Sequence, residues 1–266
     1  MSVLAEIVAS TRERVAARRQ AVPAAELARA AAKRASTGDR RSFADALTAP
    51  GLSLIAEHKR SSPSAGPIRD DVPLEEVVLA YERAGAAAIS VLTEETRFGG
   101  RLEDLADARQ VVQLPILRKD FVVEDYQVHE ALAGGADAIL LIVAALEPDL
   151  LAELHQLALK LELGALVEVH DARELAVALE LEGPIIGINN RDLATLEVDT
   201  RRTFELREQI PQETLVVAES GFSQRSQLEE LARAGVDAVL VGEALMRAPD
   251  IEAAARELTG VGSTMS

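Results

Sequence analysis

A chain of 266 residues with 48% hydrophobic but only 3% aromatic content has room for one large core of Ala, Val, Leu and Ile, which suits helices packed on buried parallel strands. Its formal charge of −16 argues against nucleic acid as a partner, because phosphate binding draws on clustered Lys and Arg, and the lack of cysteine excludes disulfides and thiolate metal sites. The longest apolar run, Ala138 to Leu146, is nine residues, against the roughly twenty needed to span a bilayer, and no signal-peptide core opens the chain, so no membrane partner and a cytoplasmic location are expected.

Residues 1–50 stand apart from the rest. They hold nine Lys and Arg against five Asp and Glu, whereas the remainder is strongly acidic. The pattern predicts a helix over about residues 2–19, a break at Pro23 and further helix before Pro50. Two roles are open for this helical extension: a cap on the following domain, or a basic arm over an active mouth that helps to bind an anionic substrate.

From residue 51 to 266 the reading is a single catalytic domain. Strand-like runs begin near Ser53, Ala87, Pro115, Ala138, Ala165, Ile185, Thr214 and Asp237, spaced 20 to 34 residues apart. Helical patterns lie between them, as in Leu74–Ala84, Glu124–Ala133, Glu147–Glu162, Ala172–Leu181 and Gln224–Ala234. Ala/Gly-rich helix exits recur before strands, at Gly134-Gly135-Ala136-Asp137 and Ala234-Gly235-Val236-Asp237 among others. The alternation predicts parallel strands joined by right-handed crossovers, and eight units of similar length favour closure into a (β/α)8 TIM barrel over an open doubly wound sheet.

In such barrels chemistry sits at the carboxyl ends of the strands, and here those ends are charged. Side chains alternate along a strand, so Glu57 and Lys59 share one face. Lys119 lies two residues beyond Leu117, and Glu168 two beyond Leu166, each predicted to face inward. A buried charge left alone costs several kcal/mol, so Lys119 and Glu168 must pair with each other as a structural bridge or with a ligand. The sixth run ends in Gly187-Ile188-Asn189-Asn190-Arg191-Asp192, offering an inward amide at Asn189 and a guanidinium at the rim. The bland alternative makes the asparagines turn residues and Arg191 half of a surface ion pair.

The seventh and eighth runs end in Glu219-Ser220-Gly221 and Gly242-Glu243, where backbone N–H groups can approach a phosphate. Glu243 fits such a site only if its carboxylate points away. The four histidines, His58, His129, His155 and His170, lack ligand spacing and are read as facing away from the interior. No metal motif, Walker loop, dinucleotide fingerprint or nucleophile elbow occurs, so the expected chemistry is proton transfer with no metal and no cofactor.

Five segments in register, Ile55 to Ser64, Leu92 to Glu95, Pro115 to Phe121, Gly187 to Leu193 and Ala218 to Gly221, closely resemble the indole-3-glycerol-phosphate synthase family, as does the helical amino-terminal extension. The resemblance implies a carboxy-lyase of tryptophan biosynthesis. Its small-molecule substrate would be 1-(2-carboxyphenylamino)-1-deoxyribulose 5-phosphate, a phosphorylated anthranilate–ribulose adduct, converted to indole-3-glycerol phosphate, carbon dioxide and water by a monomer or weak homo-oligomer. By similarity Lys119 is the general acid on the keto oxygen, while Lys59 and Glu168 are the acid and base of the later proton movements. Glu57 and Asn189 would orient the lysines and the substrate hydroxyls, and Glu219 would complete the polar ring.

The resemblance further implies phosphate binding at Ser220, Gly221, Gly242 and Glu243, aided by Ser62 and Lys59. Phe98 and Phe121 would pack the anthranilate ring, with Arg191 assisting anion binding. Ser61 and Ala65 stand where the family commonly has a basic residue and a lysine. Another phosphosugar barrel, such as a phosphoribosylanthranilate isomerase, and a barrel that binds phosphate ligands without catalysis are the alternatives.

Overall fold

The computed structural model describes residues 3–193 and 195–262. Eight parallel strands close into a barrel: β1 (Ser53–His58), β2 (Ala88–Leu92), β3 (Ile116–Lys119), β4 (Ala138–Ile142), β5 (Gly164–Val169), β6 (Ile185–Asn189), β7 (Val216–Glu219) and β8 (Ala238–Val241). Each pairs with its neighbours in sequence, and β1 completes the circle against β8, with Ser53 opposite Ala238 and Ala56 opposite Val241. The strands begin within two residues of where the apolar runs predict. No helix among the described residues is long and apolar enough to cross a membrane.

The repeated helix exits have a definite task. Gly135 and Gly235 take left-handed backbone, with φ of 111° and 77°, which turns the chain back towards the sheet. Two residues later, the carboxylates of Asp137 and Asp237 accept the backbone N–H of Ile116 (2.9 Å) and Val216 (2.8 Å), the first residues of β3 and β7. An acid at the start of one strand thereby caps the start of the strand before it.

The barrel interior is filled in tiers. Ile55, Leu117, Leu166 and Val217, one from each odd-numbered strand, are buried in a common apolar cluster. Two residues further along the same strands stand Glu57, Lys119, Glu168 and Glu219. Period-two alternation thus carries the packing of alternate strands upward into a tier of charges at the mouth.

The amino-terminal segment forms α1 (Val3–Ala21), α2 (Ala24–Ala35) and α3 (Phe43–Leu47), with the break at Pro23. Its ends serve opposite faces of the barrel. In α3, Phe43 and Leu47 join the interior cluster from below, and Gly164 leaves room for the Phe43 ring, since a Cβ there would lie 3.1 Å from Phe43 Cβ. In α1, Leu4 and Ile7 reach the mouth and line its cavity. Three arginines of α1 are engaged in docking: Arg14 pairs with Glu94 (2.7 Å), Arg18 with Glu130 (2.6 Å) and Arg19 with Asp125 (3.0 Å). The idea of a basic arm whose cations meet the substrate is therefore corrected for these three, because acids of the barrel wall take their charge.

Candidate active site

Every residue singled out from the sequence as a candidate lines one cavity of about 490 Å³ at the carboxyl ends of the strands. The cavity has an apolar side, formed by Leu4, Ile7, Phe98, Phe121 and Leu140, and a polar floor made of the charged tier.

Lys119 anchors that floor. Its Nζ lies 3.1 Å from Glu168 Oε2 and 3.1 Å from Glu219 Oε2. Burial works against the ammonium, yet the nearby charges of Glu168, Glu219 and Glu57 outweigh it and raise the lysine above its ordinary range. Lys119 is thus fully charged at neutral pH. A simple bridge between Lys119 and Glu168 does not describe this arrangement, because a second buried carboxylate shares the ammonium.

The two carboxylates respond in opposite senses. Burial raises both. For Glu168 the opposing pull of Lys119, His170 and the Asn189 amide prevails and its carboxyl titrates well below the usual range. Glu219 is driven up by burial, only partly relieved by Lys119 and further burdened by Glu168, and is pushed up to about 7. The two environments thus leave Glu168 an anion at neutral pH and bring Glu219 into the range where it can hold a proton. Glu219 reaches its position because Gly187 has no side chain: a Cβ there would collide with Glu219 Oε1. Gly242 makes room for Glu57 in the same way.

Lys59 follows β1 and its Nζ lies 3.0 Å from Glu57 Oε1. Asn189 donates from Nδ2 to Glu168 Oε1 (3.1 Å), while its Oδ1 accepts from Ser220 Oγ (2.9 Å) and the Arg191 N–H (3.0 Å). The neighbouring Asn190 is structural. Its amide donates to the carbonyls of Glu219 and Ser220, each at 3.0 Å, and locks the ends of β6 and β7 together. Arg191 lines the cavity and braces its own loop through a bond to the Leu196 carbonyl (2.9 Å).

At the rim, Ser220 and Gly221 both take positive φ, 64° and 90°. For the serine this backbone is strained, costing on the order of 1–3 kcal/mol, and such strain gathers at functional loops. After β8, Gly242 precedes the short helix Glu243–Arg247, and Glu243 is drawn into an i,i+4 pair with Arg247 (3.1 Å). The carboxylate thus has a cationic partner on its own helix.

Phe98 sits on the short helix Glu95–Phe98, whose start is held by Glu94: its carboxylate accepts the N–H groups of Thr96, Arg97 and Phe98. Phe121 is fixed from behind. Arg118 points away from the barrel axis, is completely buried, and pairs with Asp120 (2.9 Å) and Glu130 (2.9 Å), and Asp120 in turn accepts the Phe121 N–H (2.8 Å).

One placement differs from the sequence reading. His170 does not face away: it follows Glu168 by two residues, shares its side of the strand, and brings Nε2 to 3.3 Å from Glu168 Oε1. The alternation already applied to Leu166 and Glu168 extends to it. Leu4, Ile7 and Arg247 are further cavity residues that strand periodicity did not reach. Among the described residues no group of His, Asp and Glu is arranged to hold a metal ion.

Comparison with known proteins agrees with this geometry. The family model for indole-3-glycerol phosphate synthase matches residues 4–258. A Kineococcus radiotolerans indole-3-glycerol phosphate synthase is 45% identical over 265 residues, covering 99% of this chain and 97% of that protein. A Rhodococcus jostii protein of the same name is 46% identical over 263 residues, covering 99% and 97%. Among solved structures, the tryptophan synthase α2β2 complex from Pyrococcus furiosus contains a chain that superimposes with a TM-score of 0.61 at 18% identity, covering 80% of this chain and 99% of that one. At that identity the likeness concerns the fold.

Proposed function

The chain belongs to the indole-3-glycerol phosphate synthase family, and from that premise we propose that its cavity closes the indole ring with Lys119 as general acid and Glu168 as general base. The reaction is a carboxy-lyase step on a phosphorylated small molecule. The aryl carbon bearing the carboxylate attacks the keto carbon, loss of carbon dioxide restores the aromatic ring, and loss of water completes the pyrrole.

Each stage needs a proton moved at a fixed place. Attack on the keto carbon develops charge on its oxygen, and Lys119, charged and held between Glu168 and Glu219, is the donor. Dehydration needs an acid for the departing hydroxyl and a base for the proton removed with it. Lys59 and Glu168 take these parts, with Glu57 and Asn189 holding them and the substrate hydroxyls in line. Phe98 and Phe121 pack the anthranilate ring, and the phosphate rests on backbone groups at Ser220, Gly221, Gly242 and Glu243 with Ser62, Lys59 and Arg191 nearby. Residues 1–50 act as an extension of the catalytic barrel formed by 51–266, closing it below through α3 and walling its mouth through α1.

The observation that carries this reading is the single ammonium of Lys119 shared by two buried carboxylates in a cavity that also offers an apolar wall and a glycine-bearing rim. Incubating the protein with the carboxyphenylamino sugar phosphate should produce indole absorbance and carbon dioxide. Lys119→Ala should lower turnover by about 10²–10⁴-fold, the usual cost of losing a general acid. Absence of both products from the wild-type protein, or near-normal turnover in the variant, overturns it.

A further inference from the structure

Glu168 is gripped from a direction that the cavity does not show. Its Oε2 faces Lys119 of β3 and its Oε1 accepts from Asn189 of β6. Behind that second oxygen lies His170, which is absent from the cavity lining. The His170 Nε2 is buried, stands 3.3 Å from Glu168 Oε1 in an ionic contact, and has no aligned hydrogen bond.

The ring is oriented by Glu174. That residue lies in the first turn of the helix Ala172–Ala178, whose start is fixed by Asp171 accepting the N–H groups of Arg173 (2.8 Å) and Glu174 (2.9 Å). Glu174 Oε2 meets His170 Nδ1 at 3.0 Å and also accepts the His170 backbone N–H at 2.7 Å. One carboxylate therefore fixes both the main chain and the ring of the histidine. The ring nitrogens then face two carboxylates, one on each side, an arrangement that suits an imidazolium carrying both protons.

We propose that His170, held by Glu174, is a positioning residue that keeps the Glu168 carboxylate anionic and aimed into the cavity, and so sets the lower edge of the pH range in which the base works. This rests on the reading of Glu168 as the base. The charged groups around the histidine are Glu168 on its own strand and Glu174 on the following helix, with Lys119 beyond Glu168 on the opposite side. Burial disfavours the imidazolium, but the bonds and charges of Glu168 and Glu174 prevail and raise it to about 10, so it remains charged throughout the range in which Glu168 would titrate. Removing that charge leaves Glu168 with Lys119 alone as a cationic neighbour. Its proton affinity then rises, and the carboxyl titrates at higher pH.

The test follows the Glu168 carboxyl by NMR against pH, beside turnover and KM, in wild type, His170→Gln and Glu174→Gln, with the turnover of Glu168→Gln as the reference. His170→Gln should raise the pH at which the Glu168 carboxyl titrates by about one unit, the effect of losing a nearby opposite charge, seen by carboxyl NMR apart from Glu219 near 7, with KM little changed. Glu174→Gln should shift that titration in the same direction by less. A Glu168 titration in His170→Gln that stays where wild type has it, while Glu168→Gln is inactive, overturns the positioning role and leaves Glu168 as base. Full turnover in Glu168→Gln instead overturns the base assignment and this inference with it. A measurement on the unaltered protein covers a variant that does not fold: NMR titration of the four imidazoles should show one that stays protonated above pH 8, and titration of all four below that pH overturns the proposal.

Discussion

The carboxylate of Glu219 lies directly over the Cα of Gly187 on the adjoining strand, in the space that any side chain would occupy. Gly187→Ala should push that carboxylate off Lys119 and, through Leu166 Cδ1 at 3.2 Å, disturb the tier below. Displacement of a catalytic group by about 1 Å costs on the order of 10²-fold, so turnover should fall by about that factor. Overpacking should lower stability by about 1–3 kcal/mol, and steady-state kinetics beside a urea unfolding curve reads both effects.

The raised Glu219 carboxyl makes a signed prediction about stability. In the unfolded chain it titrates near its ordinary 4.5, and in the folded barrel burial pushes it up to about 7. Between those values the folded state holds a proton that the unfolded state has lost, so this group's contribution is complete below 4.5 and disappears as pH rises through 7. Glu219→Gln cannot titrate. The unfolding free energy of wild type minus that of Glu219→Gln should therefore decline from pH 4.5 to 7 and level off above it. A difference that rises over the same window contradicts the assignment.

Arg118 shows what a buried cation requires of its neighbours. Replacing it by Met keeps much of the volume but leaves the buried Asp120 without its cation, while Glu130 retains only Arg18 of α1. Breaking a buried ion pair from one side costs about 3–5 kcal/mol, so Arg118→Met should lose stability on that scale in chemical denaturation. Since Asp120 holds the Phe121 N–H, the surviving activity should also show a raised KM.

The two ends of the amino-terminal segment can be separated experimentally. Phe43→Ala opens a void beneath the barrel and should cost about 3–5 kcal/mol of stability, with kcat unchanged while the protein remains folded. Leu4→Ala removes a half-buried wall of the cavity and should raise KM several-fold with little thermal effect. Equal loss of melting temperature in both variants would show that Leu4 serves the fold alone.

The barrel and its charged tier were legible because they depend on periods of two within strands and on a regular cadence between them. Asp137 and Asp237 illustrate this, since the repeated exits that announce β4 and β8 contain the very acids that cap β3 and β7. What escaped depends on partners remote in the chain or on a change of element. The acids that take up Arg14 and Arg18 lie 80 and 112 residues away, and composition cannot distinguish a docked cation from a solvated one. Arg118 faces the layer between strand and helix, where an apolar residue is the ordinary expectation. His170 required strand alternation to be carried one step beyond the end of β5, and its meaning depends on Glu174 in the helix that begins after it.

Closure of the circle between Ser53 and Ala238 has a consequence for biogenesis. The strand emerging first from the ribosome bonds on one side to the strand emerging last, so for most of synthesis its outer N–H and C=O groups have no counterpart. A polypeptide cut before Ala238 would retain two raw sheet margins, each able to recruit a neighbouring copy. Shortened forms of this chain should accordingly precipitate as they accumulate, where a longer stretch of the same sequence stays dispersed.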